Sequence, residues 1–178
     1  MARIVGYIAS SLDGFIVDAE GSLKWLYEAG VELGPYHYED FIKRMSTVVM
    51  GRATWDWLVK EGVTNPYPGQ RTIVVTSHPL EAPAHIEVWT RGVEALIADL
   101  RALDGSNGDV WMLGGGRLQM AFMERGALDE IEIYIMPRLI GGGAPLFPPT
   151  GFTASPKLLS AVQLGGGGVR LHYAFGDT

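Results

Sequence analysis

Three glycines, Gly114, Gly115 and Gly116, stand between an apolar run at 110–113 and a helically spaced segment at 117–122. A strand that passes through glycine into a helix leaves unpaired backbone N–H groups and the positive end of the helix dipole at the strand's carboxyl edge, where anions bind. Gly51-Arg52-Ala53-Thr54, following the apolar 47–50, has the same grammar, and the guanidinium fork of Arg52 suits a phosphate. As a dinucleotide fingerprint the triplet fails, because Gln119 takes the place of the third glycine, and it lacks the lysine of a P-loop. Phosphate cradle and tight packing turn stay open as readings, since glycine serves both. Asp13, in Ser11-Leu12-Asp13-Gly14, is either a substrate-side carboxylate or an Asp-Gly turn residue. Trp25, Tyr36, His37 and Tyr38 either line a pocket for a flat ring or belong to the core. Glycines 141–143 follow a strand-like segment and read as a loop lining a cofactor, whereas 165–168 lie between two strand-like segments and read as a turn.

The elements that must position these residues belong to one domain spanning 1–178. A chain of 178 residues buries about two thirds of its unfolded surface in a single core. Net charge is −6 and lysine or arginine never runs beyond two residues, so the footprint of a nucleic-acid or anionic-membrane binder is missing and a small molecule is the expected partner. Cysteine is absent, which excludes disulfides, thiolate nucleophiles and thiolate metal sites; no metal is expected. No apolar run approaches the roughly 20 residues of a membrane span, and the first nine residues resemble a strand rather than a signal peptide. A cytoplasmic location is expected.

Along the chain, strands are predicted at 3–9, 47–51, 71–77, 86–90, 110–113 and 128–137, and a terminal hairpin at 158–164 and 169–175. Helices are predicted at 36–45, from 52, at 93–103 and from 117. In the first, Tyr38, Phe41, Ile42 and Met45 form the apolar stripe, with Glu39/Lys43 and Asp40/Arg44 as i, i+4 pairs. Alternation in 128–137 puts Ile131, Ile133 and Ile135 on one face and Glu130, Glu132 and Tyr134 on the other. The order implies an α/β fold: a central, mostly parallel mixed sheet, helices on both faces, and an antiparallel C-terminal hairpin. The apolar face of 128–137 suggests a homodimer.

Five stretches, "YIASSLDGFI", "VVMGRATWDWL", "RTIVVTSHP", "VWMLGGGRLQMAF" and "IYIMPRLIGGGAPLFP", occur in the order and spacing seen in the dihydrofolate reductase superfamily. More closely, the chain resembles the branch named for the reductase (RibD C-terminal) domain of the bacterial bifunctional deaminase-reductase of riboflavin biosynthesis, from Arg3 to Phe175. The resemblance implies a three-layer dihydrofolate reductase-like fold and NADPH as cofactor. It places Gly51, Arg52, Ala53 and Thr54 at the pyrophosphate and 2'-phosphate, Thr76, Ser77 and His78 in the adenosine-phosphate region, and Gly114, Gly115, Gly116, Arg117 and Leu118 at the pyrophosphate. Ala9, Ile16 and Ile140 fall beside the nicotinamide, where apolar walls exclude water.

The substrate side departs from the pattern. Classical dihydrofolate reductases carry a buried carboxylate on the first long helix, and that position falls here at His37 or Tyr38, with Glu39 and Asp40 near but paired. The glutamate that riboflavin-pathway reductases carry ahead of the late glycines is replaced by Gly114. The resemblance therefore implies an NADPH-dependent reductase of a pyrimidine- or pterin-like heterocycle, akin to 5-amino-6-(5-phosphoribosylamino)uracil reductase. Asp13 and His37 are the candidate catalytic residues, Trp25 and Tyr38 the candidate substrate contacts. Dihydrofolate reductase is the alternative, and a catalytically silent nucleotide- or flavin-binding module is the alternative from another class.

Overall fold

The computed structural model describes residues 1–176. Its main sheet has eight strands among these residues, in the order β5-β4-β3-β6-β1-β7-β10-β9. Their ranges are β1 Ile4–Ser11, β3 Met45–Gly51, β4 Arg71–Val75, β5 Ile86–Trp89, β6 Asp109–Gly114, β7 Glu130–Met136, β9 Lys157–Gln163 and β10 Val169–Ala174. The first six strands of that order are mutually parallel, and β10 and β9 join antiparallel as the terminal hairpin. The carboxyl ends of β1, β3, β4, β5, β6 and β7 therefore share one edge, the edge at which open parallel sheets commonly bind ligands.

Alternate residues of the central strands go to opposite faces. Ile4, Val49, Ile73, Val110, Met112 and Ile131 pack in one core with Leu96 and Leu100 of helix α4 (Val93–Arg101) and Met120 and Phe122 of α5 (Gly116–Met123). Val5, Val48, Met50, Val74 and Trp111 pack in the other with Phe41 of α2 (Tyr38–Ile42) and Trp55 and Leu58 of α3 (Arg52–Lys60). This is why 47–50 and 72–75 read as unbroken apolar runs: a strand covered on both faces has no polar side to alternate.

Three readings of the sequence change. The helix expected at 36–45 is only five residues long, because Met45 already opens β3. Its expected i, i+4 pairs are absent: Lys43 binds Asp40 at 3.0 Å and Arg44 lies over the Phe41 ring at 5.6 Å. Second, the loop after β1 contains a short strand, β2 (Phe15–Val17), which pairs antiparallel with β8 (Ala144–Pro145). Two and three residues are too short to leave a periodic signal. Third, Ile131 and Ile133 are buried in this chain's own core and Ile135 packs against it, so the face that suggested a homodimer is spent internally.

The remaining α-helix among the described residues, α1 (Lys24–Tyr27), is a single turn that buries Trp25.

Candidate functional site

β3 and β6 are neighbours, with Met50 opposite Gly114, and each runs straight into a helix. Gly51 precedes α3 and Gly115 precedes α5, and neither helix start has a side-chain cap. In α5 the Gly115 carbonyl accepts from Leu118 N at 3.0 Å and Gln119 N at 3.1 Å, so the uncapped amides are those ahead of Leu118. The two turns also touch. A Cβ on Gly51 would lie 3.8 Å from the Gly114 carbonyl oxygen and 3.9 Å from the Gly115 nitrogen, and one on Gly115 would lie 3.8 Å from Thr54 Oγ1. Gly114 has φ +117, a region closed to most side chains, and the Gly114–Gly115 peptide is cis. Gly116 is required by packing as well: a Cβ there would meet the carbonyl oxygens of Pro145 at 2.8 Å and Leu146 at 2.9 Å. The triplet is therefore a close-packed turn that lies against the glycine turn of β3.

The cations of this edge are partly or fully exposed. Arg52 opens α3, binds Asp56 at 2.7 Å and donates from Nη1 to the Pro79 carbonyl at 3.2 Å. That contact brings it beside the end of β4, where Ser77 and His78 are exposed and bonded to each other at 3.2 Å. Thr76 is buried; its hydroxyl accepts from His78 N at 3.1 Å and so shapes the turn rather than facing outward. Arg117, exposed in the first turn of α5, has no ion-pair partner among the described residues. Ala53 is exposed and Leu118 lies against Gly51.

The apolar candidates line the neighbouring strand ends. Ala9 and Ile140 pack around Trp25, Tyr134 and Met136, while Ile16 of β2 packs on the opposite core. Asp13 connects these loops: its carboxylate accepts from Ile140 N at 3.1 Å and from Gly141 N at 2.7 Å. A hydrogen bond from Ser11, followed by those of the two backbone amides, holds its carboxyl below the ordinary aspartate range. Asp13 thus clamps the Ile140 loop to its own across 127 positions, a long-range contact rather than a local Asp-Gly turn.

The aromatic candidates separate. Trp25 is buried and its indole Nε1 has no partner among the described residues, which costs about 1–3 kcal/mol unless something accepts from it. Tyr38 packs with Tyr7 and Trp111, at centroid distances of 6.4 and 5.8 Å, and burial raises its phenol. His37 is exposed at the start of α2, and its side chain makes no hydrogen bond among the described residues. No carboxylate on α2 is buried: Phe41 alone is, and Asp40 is paired with Lys43.

A half-buried carboxylate on this side of the sheet is one that sequence reasoning did not select. Glu132 accepts from Tyr134 Oη at 2.8 Å and from Arg170 Nε at 2.9 Å, and Arg170 also reaches Ser160 Oγ at 3.0 Å and lies 4.4 Å from the centre of the Tyr36 ring. Register explains the meeting: β7 lies between β1 and β10, with Tyr134 opposite both Ala9 and Arg170. Burial pushes the Glu132 carboxyl up, but the hydrogen bonds of Arg170 and Tyr134 outweigh it, so the group is held below its ordinary value. Burial drives Tyr7 up to about 12 and Tyr134 up as well, so both phenols are neutral at physiological pH. The signal was in the alternation of Glu130, Glu132 and Tyr134, matched by Arg170 and His172 in the last strand, but only their register joins them.

Comparison with known proteins bears on the family and the fold. Residues 3–169 match the family model of the RibD C-terminal domain. The chain is 36% identical over 173 residues to protein YwjB of Bacillus subtilis, covering 96% of this chain and 97% of that protein. A putative riboflavin biosynthesis protein from Shewanella sp. PV-4 superposes with a TM-score of 0.82 at 28% identity, covering 99% of this chain and all of that one. Dihydrofolate reductase from Enterococcus faecalis, solved with NADP(H), has a TM-score of 0.71 at 21% identity, covering 98% and 97%. The bifunctional deaminase and 5-amino-6-(5-phosphoribosylamino)uracil reductase of Thermotoga maritima has a TM-score of 0.70 at 19% identity, this chain spanning 57% of it. The family model spans nearly the whole chain and the folds superpose, and the chain belongs to the RibD C-terminal domain family, built on the dihydrofolate reductase fold.

Proposed function

We propose that this protein is an NADPH-dependent reductase of a small heterocycle of pyrimidine or pterin type. The observation that carries the reading is the meeting of two uncapped helix starts, α3 and α5, across the glycine turns of adjacent parallel strands. That arrangement suits a pyrophosphate, whose two charged groups take one helix start each. Arg52, Ser77 and His78 at the exposed end of β4 suit the additional 2'-phosphate, for which a guanidinium supplies a planar fork of donors. Ala9, Ile16 and Ile140 are the candidate walls of the nicotinamide, and Asp13 keeps Ile140 in place.

The dihydronicotinamide supplies a hydride when bound; the chain supplies orientation and a dry, shaped surface. Trp25, Tyr36 and Tyr134 belong to one apolar cluster with Ala9 and Ile140, which suits a flat ring set against the nicotinamide. The free Trp25 N–H offers that ring a donor. Dihydrofolate reduction is disfavoured, because α2 buries no carboxylate and Glu132 is already neutralised by Arg170.

Titration with NADPH and NADH, followed by quenching of the five tryptophans, tests the reading. Expected is micromolar NADPH binding, much weaker NADH binding, and a loss of about tenfold or more in NADPH affinity for Arg52→Ala, with little change for NADH. Failure of both cofactors to bind would refute the reductase assignment and favour a module that keeps the fold without turnover.

A further inference from the structure

The hairpin that ends the sheet divides its side chains between two faces. Arg170 and His172 of β10 point to one face and are bonded there to Glu132 and Glu130. Lys157, opposite Ala174, shares that face. On the other face stand Val169, Leu171 and Tyr173 of β10 and, opposite them, Gln163, Ala161 and Leu158 of β9. None of these six is charged. They continue the apolar side of β7, since Ile131, Ile133 and Ile135 pair with Tyr173, Leu171 and Val169.

Burial fades outward along this row. Ile131 and Ile133 are buried in the core shared with α4 and α5, and Leu171 and Tyr173 are half-buried. The outermost residues are open, Val169 being 36% exposed and Leu158 50%. The register shift in β9 leaves Leu159 without a partner in β10, a second leucine 42% exposed. Scattered exposed leucines need no explanation, but apolar residues adjoining on one sheet face mark an interaction surface. β9 is also the last strand of the sheet. The bulge at Leu159 guards its edge against strand addition, whereas no charge guards the face.

We propose that two copies of this chain pack these β9–β10 faces together about a two-fold axis, sheet on sheet. The chemistry selects a second copy as the occupant. A two-fold contact must be self-complementary, and an uncharged apolar face meets its own image with no charge left to pair. The chain carries a net charge of −6, so two copies repel over most of their surface and approach best where charge is absent. The same net charge opposes an anionic lipid surface as the occupant. Docking the hairpin also braces the candidate site, because Arg170, Ser160 and Val162 stand on its opposite face, toward Tyr36 and Trp25.

The test compares wild type with Leu158→Glu and Ala161→Glu by sedimentation equilibrium from about 1 μM to about 100 μM. Val59→Glu, at an exposed position of α3 in the opposite layer, is the control. All three positions are exposed, so the core of the single chain is untouched, and circular dichroism checks that each variant is folded. Expected are wild type and control at twice the mass of one chain. Each face variant should dissociate at least about a hundredfold more readily, since two unpaired carboxylates would be buried per dimer. Hydroxyl-radical labelling of wild type at the high concentration locates the contact: Leu158 and Leu159 should label severalfold more slowly than the exposed Leu12 and Leu139. A wild type that stays monomeric throughout overturns the inference. So does a dimer that survives both face variants, or one that Val59→Glu disrupts equally. Labelling of Leu158 and Leu159 in the dimer as fast as that of Leu12 and Leu139 overturns it even where a variant fails to fold.

Discussion

Arg170→Met is the most informative perturbation of the interior. Arg170 is 6% exposed, and its removal takes away the 2.9 Å bond to Glu132, the 3.0 Å bond to Ser160 and the stacking on Tyr36. Glu132, whose side chain is 14% exposed, is then left charged with the Tyr134 hydroxyl as its remaining strong donor and His172 beside it. Stranding one member of a buried pair costs about 3–5 kcal/mol, equivalent in a protein of this size to roughly 6–20 °C of melting temperature. The pH dependence has a definite sign. In wild type the Glu132 carboxyl is held below its unfolded value, so the pair's contribution is present above that unfolded value and fades as pH falls through the lowered folded one. Without Arg170, burial dominates and the folded carboxyl rises above its unfolded value. Protonation then relieves the variant, and its deficit shrinks between pH 7 and pH 5. Urea unfolding of both proteins at the two pH values measures this. Glu132→Gln combined with Arg170→Met should cost less than the sum of the single changes, because no charge is left stranded. A deficit under about 1 kcal/mol at pH 7, or one unchanged at pH 5, would refute the assignment of a charged, buried and mutually dependent pair.

The glycine turn and the loop clamp yield two further expectations. Gly116→Ala places a methyl within 2.9 Å of two backbone carbonyls; it should lower stability by about 1–3 kcal/mol in urea unfolding and abolish cofactor quenching, whereas retention of both would show that the turn can yield. Asp13→Ala frees the Ile140 and Gly141 amides, so hydrogen exchange at those two positions should accelerate while exchange in β1 stays unchanged. In wild type the same amides should lose protection as pH falls through the lowered Asp13 value, after exchange rates are corrected for pH, because a protonated carboxyl accepts less strongly; protection that persists would assign the loop's order to another contact.

The local grammar of this protein was legible in its residues. Apolar runs at 47–50 and 72–75, the stripe from Val93 through Leu100, and the alternation of 130–136 each follow from burial acting on a fixed period of 2 or 3.6, which any few consecutive residues reveal. The glycine turns before α3 and α5 were equally visible, because the demand for a bare backbone is written in the residue type. What the residues alone left open were relations between distant segments. That Gly51 meets Gly114, that Asp13 clamps Ile140, and that Glu132 finds Arg170 depend on strand order and register, quantities to which a single strand's pattern is blind. The apolar face of Ile131 and Ile133 illustrates the limit: alternation shows that a face is apolar, and only the packing of α4 and α5 against it decides that its own chain covers it. Gln119 is the reverse case. Its residue type suggests a solvated helix position, and the closing of the 145–148 strap over α5 leaves its amide buried without a partner, a state that arises only when segments remote in sequence exclude water from the same place.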